Sequence, residues 1–210
     1  MKKYSDLSLR SIKPQKEVSK NIDTNKYIAL VFMADFHLGH PGVNYELLDK
    51  DIQLLESIDN LYIYFGGDQV ENMVLPGLSG ITQIDPNIQL NLLIRVMEKL
   101  SKRILVVGTG NHDLWTEKLC KIDFLRFITE SKGLLYTKYG GLLNLTVGDI
   151  EYKIYRRHSY RFRSSFNLTH DIKQMLRFED VDFALGCLEH GHVPVLEEFY
   201  WKGSKRIAMK

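Results

Sequence analysis

The first half of the chain alternates apolar runs of strand length with amphipathic segments of helical length. Residues 27–34, 61–65 and 104–107 are almost entirely apolar, which is typical of strands buried on both faces of a sheet. Residues 43–58, 88–100 and 115–125 repeat apolar side chains at helical spacing. Strands that alternate with helices in this way predict a parallel sheet covered by helices.

In the second half of the chain, apolar residues recur mainly at the two-residue spacing that is typical of strands. Over residues 143–154, apolar and polar side chains alternate on both sides of Gly148-Asp149, which predicts a β-hairpin with a two-residue turn. A helix near residues 167–178 and a strand at residues 181–186 are expected next. Residues 195–200 and 206–209 predict a last hairpin that turns at Gly203-Ser204. The fold class expected from both halves is α/β.

The domain organisation follows from length and charge. A chain of 210 residues buries roughly 70% of its unfolded surface, which is enough for one hydrophobic core. Residues 1–26 lack a long apolar period and carry seven lysines and arginines against three acidic residues. We therefore expect a basic, loosely ordered leader over residues 1–26 and a single domain over residues 27–210.

Composition excludes several classes of protein. At 44% hydrophobic residues the chain is too apolar to be disordered, and its longest apolar run is far shorter than the roughly 20 residues that span a bilayer. The polar residues after Met1 predict no secretory signal. Two cysteines, Cys120 and Cys187, make no disulfide framework, so we expect both to be buried free thiols. These features predict a cytoplasmic protein without a membrane partner, and the net charge of +2 indicates no particular partner.

Side chains with metal-binding chemistry follow each strand of the first half. Residues 35–37 (DFH) come after the first strand, residues 66–72 (GGDQVEN) after the second and residues 110–113 (GNHD) after the third. Ligands of open α/β sheets bind beyond the carboxyl ends of the strands, so these groups are expected at one rim. In the second half, His158 and residues 190–192 (HGH) also follow predicted strands.

This mixture of side chains predicts two divalent metal ions. Carboxylate and amide oxygens combined with imidazole nitrogens suit manganese, which we expect first, and also iron, zinc or nickel. Two such ions can share a bridging carboxylate, hold a phosphate and acidify a bridging water to hydroxide, which attacks phosphorus. The sequence has no GxSxG motif, paired catalytic cysteine or P-loop, so a covalent nucleophile is not expected.

Each segment taken alone also has a simpler interpretation. Asp35, Asp68 or Asn111 could cap a helix or turn, and His158 could be a solvated residue of a basic stretch. Residues 190–192 could form a polar loop. Five of the seven histidines fall in these segments, each just beyond a predicted strand, and this coincidence favours the metal site.

The segments resemble the motifs of the calcineurin-like metallophosphoesterases in type and order. That family has DxH, GDxx(D/E), GNH(D/E), a single histidine and GHxH. Residues 35–37, 67–71, 110–113, His158 and 189–192 match these motifs in turn, with glutamate at position 189 where the family usually has glycine. The resemblance extends from about residue 27 to about residue 200.

The resemblance implies both a fold and a set of metal ligands. The fold would be a metallophosphoesterase-like sandwich of two mixed β-sheets flanked by helices. Asp35, His37 and His192 would bind the first metal, and Asp68 would bridge to the second. The second site would be completed by Asn111, His158 and His190.

The resemblance also implies catalytic roles. His112 would be the general acid that protonates the leaving oxygen, and Glu71 would orient it, with Asp113 as the alternative orienting residue. His40 and His170 lie outside the motifs, and we expect structural roles for both.

The substrate is less closely defined, because the family hydrolyses monoesters, diesters, phosphoproteins and nucleotides. The basic stretch around His158 predicts substrate contacts from Arg156, Arg157 and Arg161, and the aromatic residues between them suit a nucleic-acid backbone. We therefore expect a dinuclear phosphoesterase acting on a phosphodiester in DNA, RNA or a nucleotide. The alternatives are a phosphomonoesterase or protein phosphatase, or a non-catalytic scaffold of the same fold. Residues 73–86 could form a loop over the site.

Overall fold

Two β-sheets packed face to face, with helices on both outer sides, form the described part of the chain. The computed structural model describes residues 15–74, Gly77 and residues 84–210. Residues 1–14 of the expected leader and most of the expected loop over residues 73–86 lie outside the described residues. The described part is an α/β sandwich, which confirms the general fold class.

The strands are β1 (Glu17–Ile22), β2 (Ala29–Met33), β3 (Leu61–Phe65), β4 (Ile104–Gly108), β5 (Leu135–Thr137), β6 (Gly141–Val147), β7 (Ile150–Arg157), β8 (Leu185–Leu188), β9 (Leu196–Trp201) and β10 (Ser204–Met209). The helices are α1 (Tyr45–Ser57), α2 (Pro86–Leu100), α3 (Asp113–Cys120), α4 (Phe124–Ser131) and α5 (His170–Phe178). The hairpin predicted around Gly148-Asp149 is formed by β6 and β7.

The two sheets differ in strand direction. One has four strands in the order β2-β3-β4-β5, and every pair in it is parallel. The other has six strands in the order β1-β6-β7-β8-β10-β9 and mixes parallel with antiparallel pairs. The expectation of two mixed sheets is therefore wrong for the first sheet, where helical crossovers between consecutive strands keep the direction constant.

Three layers of buried apolar side chains hold the sandwich together. Ile63 and Phe65 of β3 face α1, α2 and α4 on the outer side of the parallel sheet. Tyr64, between them in sequence, points the other way and packs with the inner face of the mixed sheet. On the outer face of the mixed sheet, Ile172 and Met175 of α5 are fully buried. The alternation along β3 thus separates a helix-facing layer from a sheet-facing layer.

The expected leader contains a strand. Residues 17–22 form β1, which pairs in parallel with β6 at the edge of the mixed sheet. Val18 and Ile22 are buried there, while the residues between them are exposed. A strand with two apolar residues out of six has too weak a pattern to be recognised from sequence, and its polar positions are tolerated because it lies at an edge.

Other boundaries also differ from the expectations. The helix expected over residues 115–125 is two helices, because Lys121 adopts a left-handed conformation that ends α3 and Asp123 caps α4. The strand expected at 181–186 lies at Leu185–Leu188. β2 was expected to be buried on both faces, but it is the edge strand of its sheet and most of it is only half-buried. Cys187 is buried as expected, whereas Cys120 is exposed in the last turn of α3.

Candidate metal centre

All the segments that carry predicted metal ligands meet at one edge of the sandwich. The parallel strands β2, β3 and β4 end side by side there, and backbone N–H groups of Asp35 and His37 donate to the carbonyls of Gly67 and Asp68 at 2.8 and 3.0 Å. β7 and β8, also parallel, bring residues 158 and 189–192 to the same edge. The backbone N–H of His190 donates to Asp35 Oδ2 at 3.3 Å, which joins the two sheets at this point.

Glycines allow the loops after β3 and β4 to touch. A Cβ atom on Gly67 would collide with the backbone of Gly110, and one on Gly110 would collide with the carboxylate and backbone nitrogen of Asp68. The loops that hold Asp68 and Asn111 can therefore approach this closely only with glycine at both positions.

The backbone is strained where ligands are held. Five of the seven predicted metal ligands have a left-handed φ, which is uncommon for residues other than glycine and often marks functional sites. They are Asp35 (56°), His37 (46°), Asp68 (54°), His190 (60°) and His192 (49°). These strained residues lie in turns that bring their side chains together at one edge of the sandwich.

The ligands form two groups, which we call the inner cluster (Asp68, Asn111, His158 and His190) and the outer cluster (Asp35, His37 and His192). In the inner cluster, His158 Nε2 lies 2.9 Å from Asp68 Oδ2, 3.2 Å from Asn111 Oδ1 and 3.1 Å from His190 Nδ1. One imidazole nitrogen carries at most one proton, so it cannot satisfy three acceptors. A cation among these atoms would satisfy them all.

The outer cluster is more open. His192 Nε2 lies 3.2 Å from Asp35 Oδ1, and the side chain of His192 is 59% exposed. His37 completes the group, and ligand atoms from all three residues lie within 4.8 Å of one another. Two carboxylate-and-imidazole clusters thus lie at this edge.

Asp68 lies between the two clusters. Its Oδ2 atom is buried and accepts no hydrogen bond from the described residues, although His158 Nε2 lies close to it. His37 Nε2 approaches the same oxygen from the outer cluster at 3.9 Å. The Nδ1 atoms of both histidines are held by carboxylates, that of His37 by Glu71 at 2.8 Å and that of His158 by Glu189 at 3.2 Å. Each imidazole therefore directs its other nitrogen at the same carboxylate oxygen.

These observations fit divalent metal ions. A buried carboxylate oxygen surrounded by imidazole nitrogens and an amide oxygen is the donor set that ions of borderline softness take. The described residues could hold a metal ion in either cluster.

Glu189 and Arg156 form a buried ion pair behind the inner cluster. Both Nε and Nη2 of Arg156 donate to the Glu189 carboxylate, the former at 2.8 Å. Gly67 donates its backbone N–H to the same carboxylate at 3.0 Å. Arg156 is 0% exposed, so the expected substrate contact from Arg156 is wrong: its guanidinium is needed inside the protein to neutralise Glu189.

Charge interactions set the pKa values in the inner cluster. Burial would raise the pKa values of Asp68 and Glu189, but His158 beside Asp68 and Arg156 beside Glu189 outweigh burial and hold both below their usual range. For His158, burial acts to lower the pKa, and the two carboxylates overcome it and raise the pKa to about 9. Burial and the positive charges of His158 and Arg163 lower the pKa of His190, which leaves its imidazole neutral and able to bind a metal.

His112 lies beside both clusters with one nitrogen fixed. Its Nδ1 lies 2.7 Å from the backbone carbonyl of Glu71, which can only accept, so Nδ1 carries the proton. The Glu71 carboxylate is 3.8 Å from His112 and is bonded to His37 instead. Glu71 therefore orients His112 through its backbone, not through the carboxylate expected from the sequence. Trp115 packs on the His112 ring at 4.0 Å between centroids.

Asp113 was the alternative residue expected to orient His112, but its carboxylate binds backbone groups instead. Its carboxylate accepts the backbone N–H groups of Asp68 (2.7 Å), Gln69 (3.2 Å) and Gly110 (2.8 Å). It therefore ties the loop after β3 to the loop after β4 and does not orient His112. Burial first, and then the charge of Asp68, raise the pKa of Asp113 to about 7.

Two buried polar residues were missed by sequence reasoning. Asn72 donates from Nδ2 to the carbonyl of His112 at 2.6 Å, and Gln69 donates from Nε2 to the carbonyls of Gly66 and Gly108. Both brace the loops that carry the ligands. Their signal was a run of polar residues directly after a buried strand, in which only the acidic members were selected.

The two remaining predicted arginines lie outside the clusters. Arg157 is half-buried and its Nη1 is paired with Glu179 at 3.0 Å. Arg161 is exposed on the loop after β7.

Comparisons with known proteins identify neither a family nor a function for the chain. No protein-family model matches the chain, and no curated protein matches it. Among residues 15–74, 77 and 84–210, no helix has both the length and the apolar character needed to cross a membrane.

Proposed function

We propose that the protein is a dinuclear metal-dependent phosphoesterase that hydrolyses a phosphodiester of nucleic acid or of a nucleotide. The observation that carries the proposal is the surroundings of the buried Asp68 Oδ2 atom. His158 Nε2 approaches it to 2.9 Å from the inner cluster and His37 Nε2 to 3.9 Å from the outer cluster, and each of these histidines is backed by a carboxylate. The sequence motifs that resemble calcineurin-like metallophosphoesterases support the same chemistry.

Each ligand would have a defined position relative to the two ions. Asp35, His37 and His192 would hold the outer ion, and Asp68 would bridge to the inner one. The inner ion would also be bound by Asn111, His158 and His190. The mixture of oxygen and imidazole ligands favours manganese, with iron, zinc or nickel as alternatives. When bound, such ions neutralise phosphate charge and lower the pKa of a water molecule.

His112 is the residue we propose as proton donor. Because its Nδ1–H is held by the Glu71 carbonyl, a second proton on the ring would sit on Nε2. From Nε2 the imidazolium would donate to the leaving oxygen of the ester. Packing against Trp115 and edge-on contact with His37 at 4.5 Å between centroids fix the plane of the ring.

The experiment is hydrolysis of bis-p-nitrophenyl phosphate by the full chain with Mn²⁺. Asp68→Asn keeps the shape of the side chain and the acceptor for the His112 backbone N–H, but it removes the bridging charge. We expect at least a roughly 1,000-fold loss of turnover with an unchanged circular dichroism spectrum. Asp149→Asn, in the exposed β6–β7 turn, is the matched control and should retain wild-type activity.

Several outcomes would overturn the proposed function. Activity that survives Asp68→Asn, activity that survives a chelator, or no hydrolysis of any phosphoester would each contradict it. A preference for p-nitrophenyl phosphate over the diester would show a phosphomonoesterase. Metal binding without hydrolysis would show a scaffold.

A further inference from the structure

Arginines and aromatic residues form an exposed surface beside the metal centre. We define the arginine–aromatic surface by its six residues, Arg161, Phe162, Arg163, Phe166, Arg177 and Phe178. They lie on the loop between β7 and α5 and at the end of α5. Phe162 and Phe178 are each almost half exposed, and Phe166 is fully exposed. Large aromatic side chains clustered at the surface and exposed to water indicate a contact surface.

The surface is arranged by its own contacts. The rings of Phe162 and Phe178 are stacked at 5.3 Å between centroids. The Arg161 guanidinium lies 4.9 Å from the centre of the Phe162 ring and 5.5 Å from that of Phe178. Phe162 also has a left-handed φ of 68°, unusual for a bulky residue. The aromatic faces and the cation are thus held together before any ligand arrives.

The positive charge of the surface is not neutralised by the described residues. Arg161, Arg163 and Arg177 form no ion pair within the described ranges, and two nearby acidic groups are paired with other cations. Glu179 is bonded to Arg157 and Asp171 to Lys210. The three arginines therefore remain available to an anionic partner.

The surface is continuous with the metal centre. The loop that carries it begins directly after His158, an inner-cluster residue. Tyr160 and Arg163 line a cavity of about 160 Å³ together with Glu189 and Gly191, which flank His190. A chain of phosphates bound along the arginines would therefore lead towards the inner cluster.

From these observations we infer that the arginine–aromatic surface binds single-stranded nucleic acid and guides it to the metal centre. The arginines would contact phosphates, and Phe162, Phe166 and Phe178 would stack on bases. The bases of a duplex are paired and stacked on each other, so exposed aromatic rings favour unpaired strands. The guidance to the metal centre rests on the proposed function, but the binding does not.

The first test measures binding alone. Fluorescence anisotropy with a labelled oligo-dT of 20 nucleotides, and with the matching oligo-U, is recorded on the full chain in EDTA to prevent hydrolysis. Arg161→Ala with Phe162→Ala should raise Kd at least about tenfold. Arg161→Ala alone should reduce the magnitude of the slope of log K against log salt by about 0.7.

The matched control removes the same side-chain types from the opposite face of the sandwich. Arg95 of α2 and Phe127 of α4 are exposed on helices that cover the parallel sheet. The variant with Arg95→Ala and Phe127→Ala should bind the oligonucleotides like the wild type. Arg161→Glu, a single exposed change, reports on charge even if the double variant folds poorly, and it should weaken binding more than Arg161→Ala.

The second test separates binding from hydrolysis. The ratio of kcat/KM on oligonucleotides to kcat/KM on bis-p-nitrophenyl phosphate should fall at least about tenfold in the Arg161→Ala/Phe162→Ala variant. The same ratio should stay at the wild-type value in the Arg95→Ala/Phe127→Ala variant. If the wild type cleaves no phosphoester but binds oligo-dT through this surface, the proposed function fails and the binding inference stands. The inference is overturned if the wild type and the double variant bind oligo-dT equally. It is also overturned if an unlabelled duplex displaces the labelled oligo-dT as well as an unlabelled single strand does. Binding of the protein to anionic lipid vesicles but not to oligonucleotides would overturn it too.

Discussion

The inner and outer clusters use the same kinds of side chain in different surroundings. Side chains of Asp68 and His158 in the inner cluster are 1% and 6% exposed, whereas His192 in the outer cluster is 59% exposed. Glu189 stands behind the inner cluster with a buried arginine to neutralise it. Glu71 stands behind the outer cluster and is paired, within the described residues, only with histidines.

The difference is that a buried arginine–glutamate ion pair lies behind the inner cluster, whereas the carboxylate behind the outer cluster pairs only with histidines among the described residues. Glu189, neutralised by Arg156, holds His158 in the inner cluster, and the contact between the two glycine loops places Asp68 and Asn111. The outer ligands meet across two loops near solvent, where a cation would have to order them. Four experiments test this contrast between the two clusters.

The largest expected effect comes from breaking the buried ion pair. Arg156→Met leaves the Glu189 carboxylate buried without its cation and should lower the free energy of unfolding by about 3–5 kcal/mol, measured by urea denaturation. Arg156→Met combined with Glu189→Gln removes both charges and should recover much of the loss. An equal loss in the single and double variants would show that the charges are not coupled.

Glycine substitutions compare the packing of the loop after β3, which carries Asp68, with that of the loop after β8, which carries His190 and His192. Gly67→Ala places a Cβ against the backbone of Gly110, which cannot move aside as a side chain would, and should cost about 1–3 kcal/mol. In Gly191→Ala, in the loop that carries His190 and His192, the new Cβ would meet only the carbonyl oxygen of Glu189, at an ordinary contact distance of 3.8 Å. This change should alter stability by less than about 0.5 kcal/mol. Thermal melts of both variants make the comparison, and similar melting temperatures would contradict it.

Metal titration compares the affinities of the two clusters. The buried support of His158 should make the inner cluster bind Mn²⁺ about 10- to 100-fold more tightly than the outer one, because residues behind a ligand tune affinity by that amount. Isothermal titration calorimetry should then show two steps. His192→Ala should remove only the weaker step, and loss of the tighter step instead would reverse the assignment.

The most gradual effect is a pH dependence of the metal-free protein. In the folded protein the pKa of His158 is raised from 6.5 to about 9, so folding strengthens its hold on a proton. The resulting stability is fully present below about pH 6.5 and is lost as the pH rises through about 9, with a slope of at most about 1.4 kcal/mol per pH unit. Melting temperatures in EDTA from pH 6.5 to 9.5 should fall, and His158→Asn should flatten the profile. A rising profile in the wild type would contradict the coupling to Asp68 and Glu189.

The sequence predicted best those features that depend on local pattern. Buried apolar strands are visible as runs, and parallel strands must end at the same edge, so the meeting of Asp35, Asp68 and Asn111 followed from strand order alone. The location of the two clusters that could hold a metal ion was therefore predictable without coordinates. β1 was missed because its contribution is two apolar side chains and a ladder of backbone hydrogen bonds, which leave almost no trace in the sequence.

Features that depend on distant pairs were not predicted. Arg156 looked like a substrate contact because arginines are normally solvated, and its burial depends on Glu189, which lies 33 positions along the chain. Glutamate at position 189 was noted as a departure from the family, but its partner was not identified. Similarly, Asp113 was assigned to a neighbouring histidine, whereas its hydrogen bonds reach back across a loop to residues 68 and 69.

The left-handed turns at the metal centre have a consequence for how the protein could change. At Asp35, His37, Asp68, His190 and His192, glycine would be easier for the backbone than the residue that is present. Backbone strain alone would favour glycine at each of these positions, but glycine would also lose side-chain contacts, such as the acceptor that Asp35 offers to the His190 backbone N–H. A glycine substitution at one of these positions would therefore relieve backbone strain and remove a candidate metal ligand in the same step.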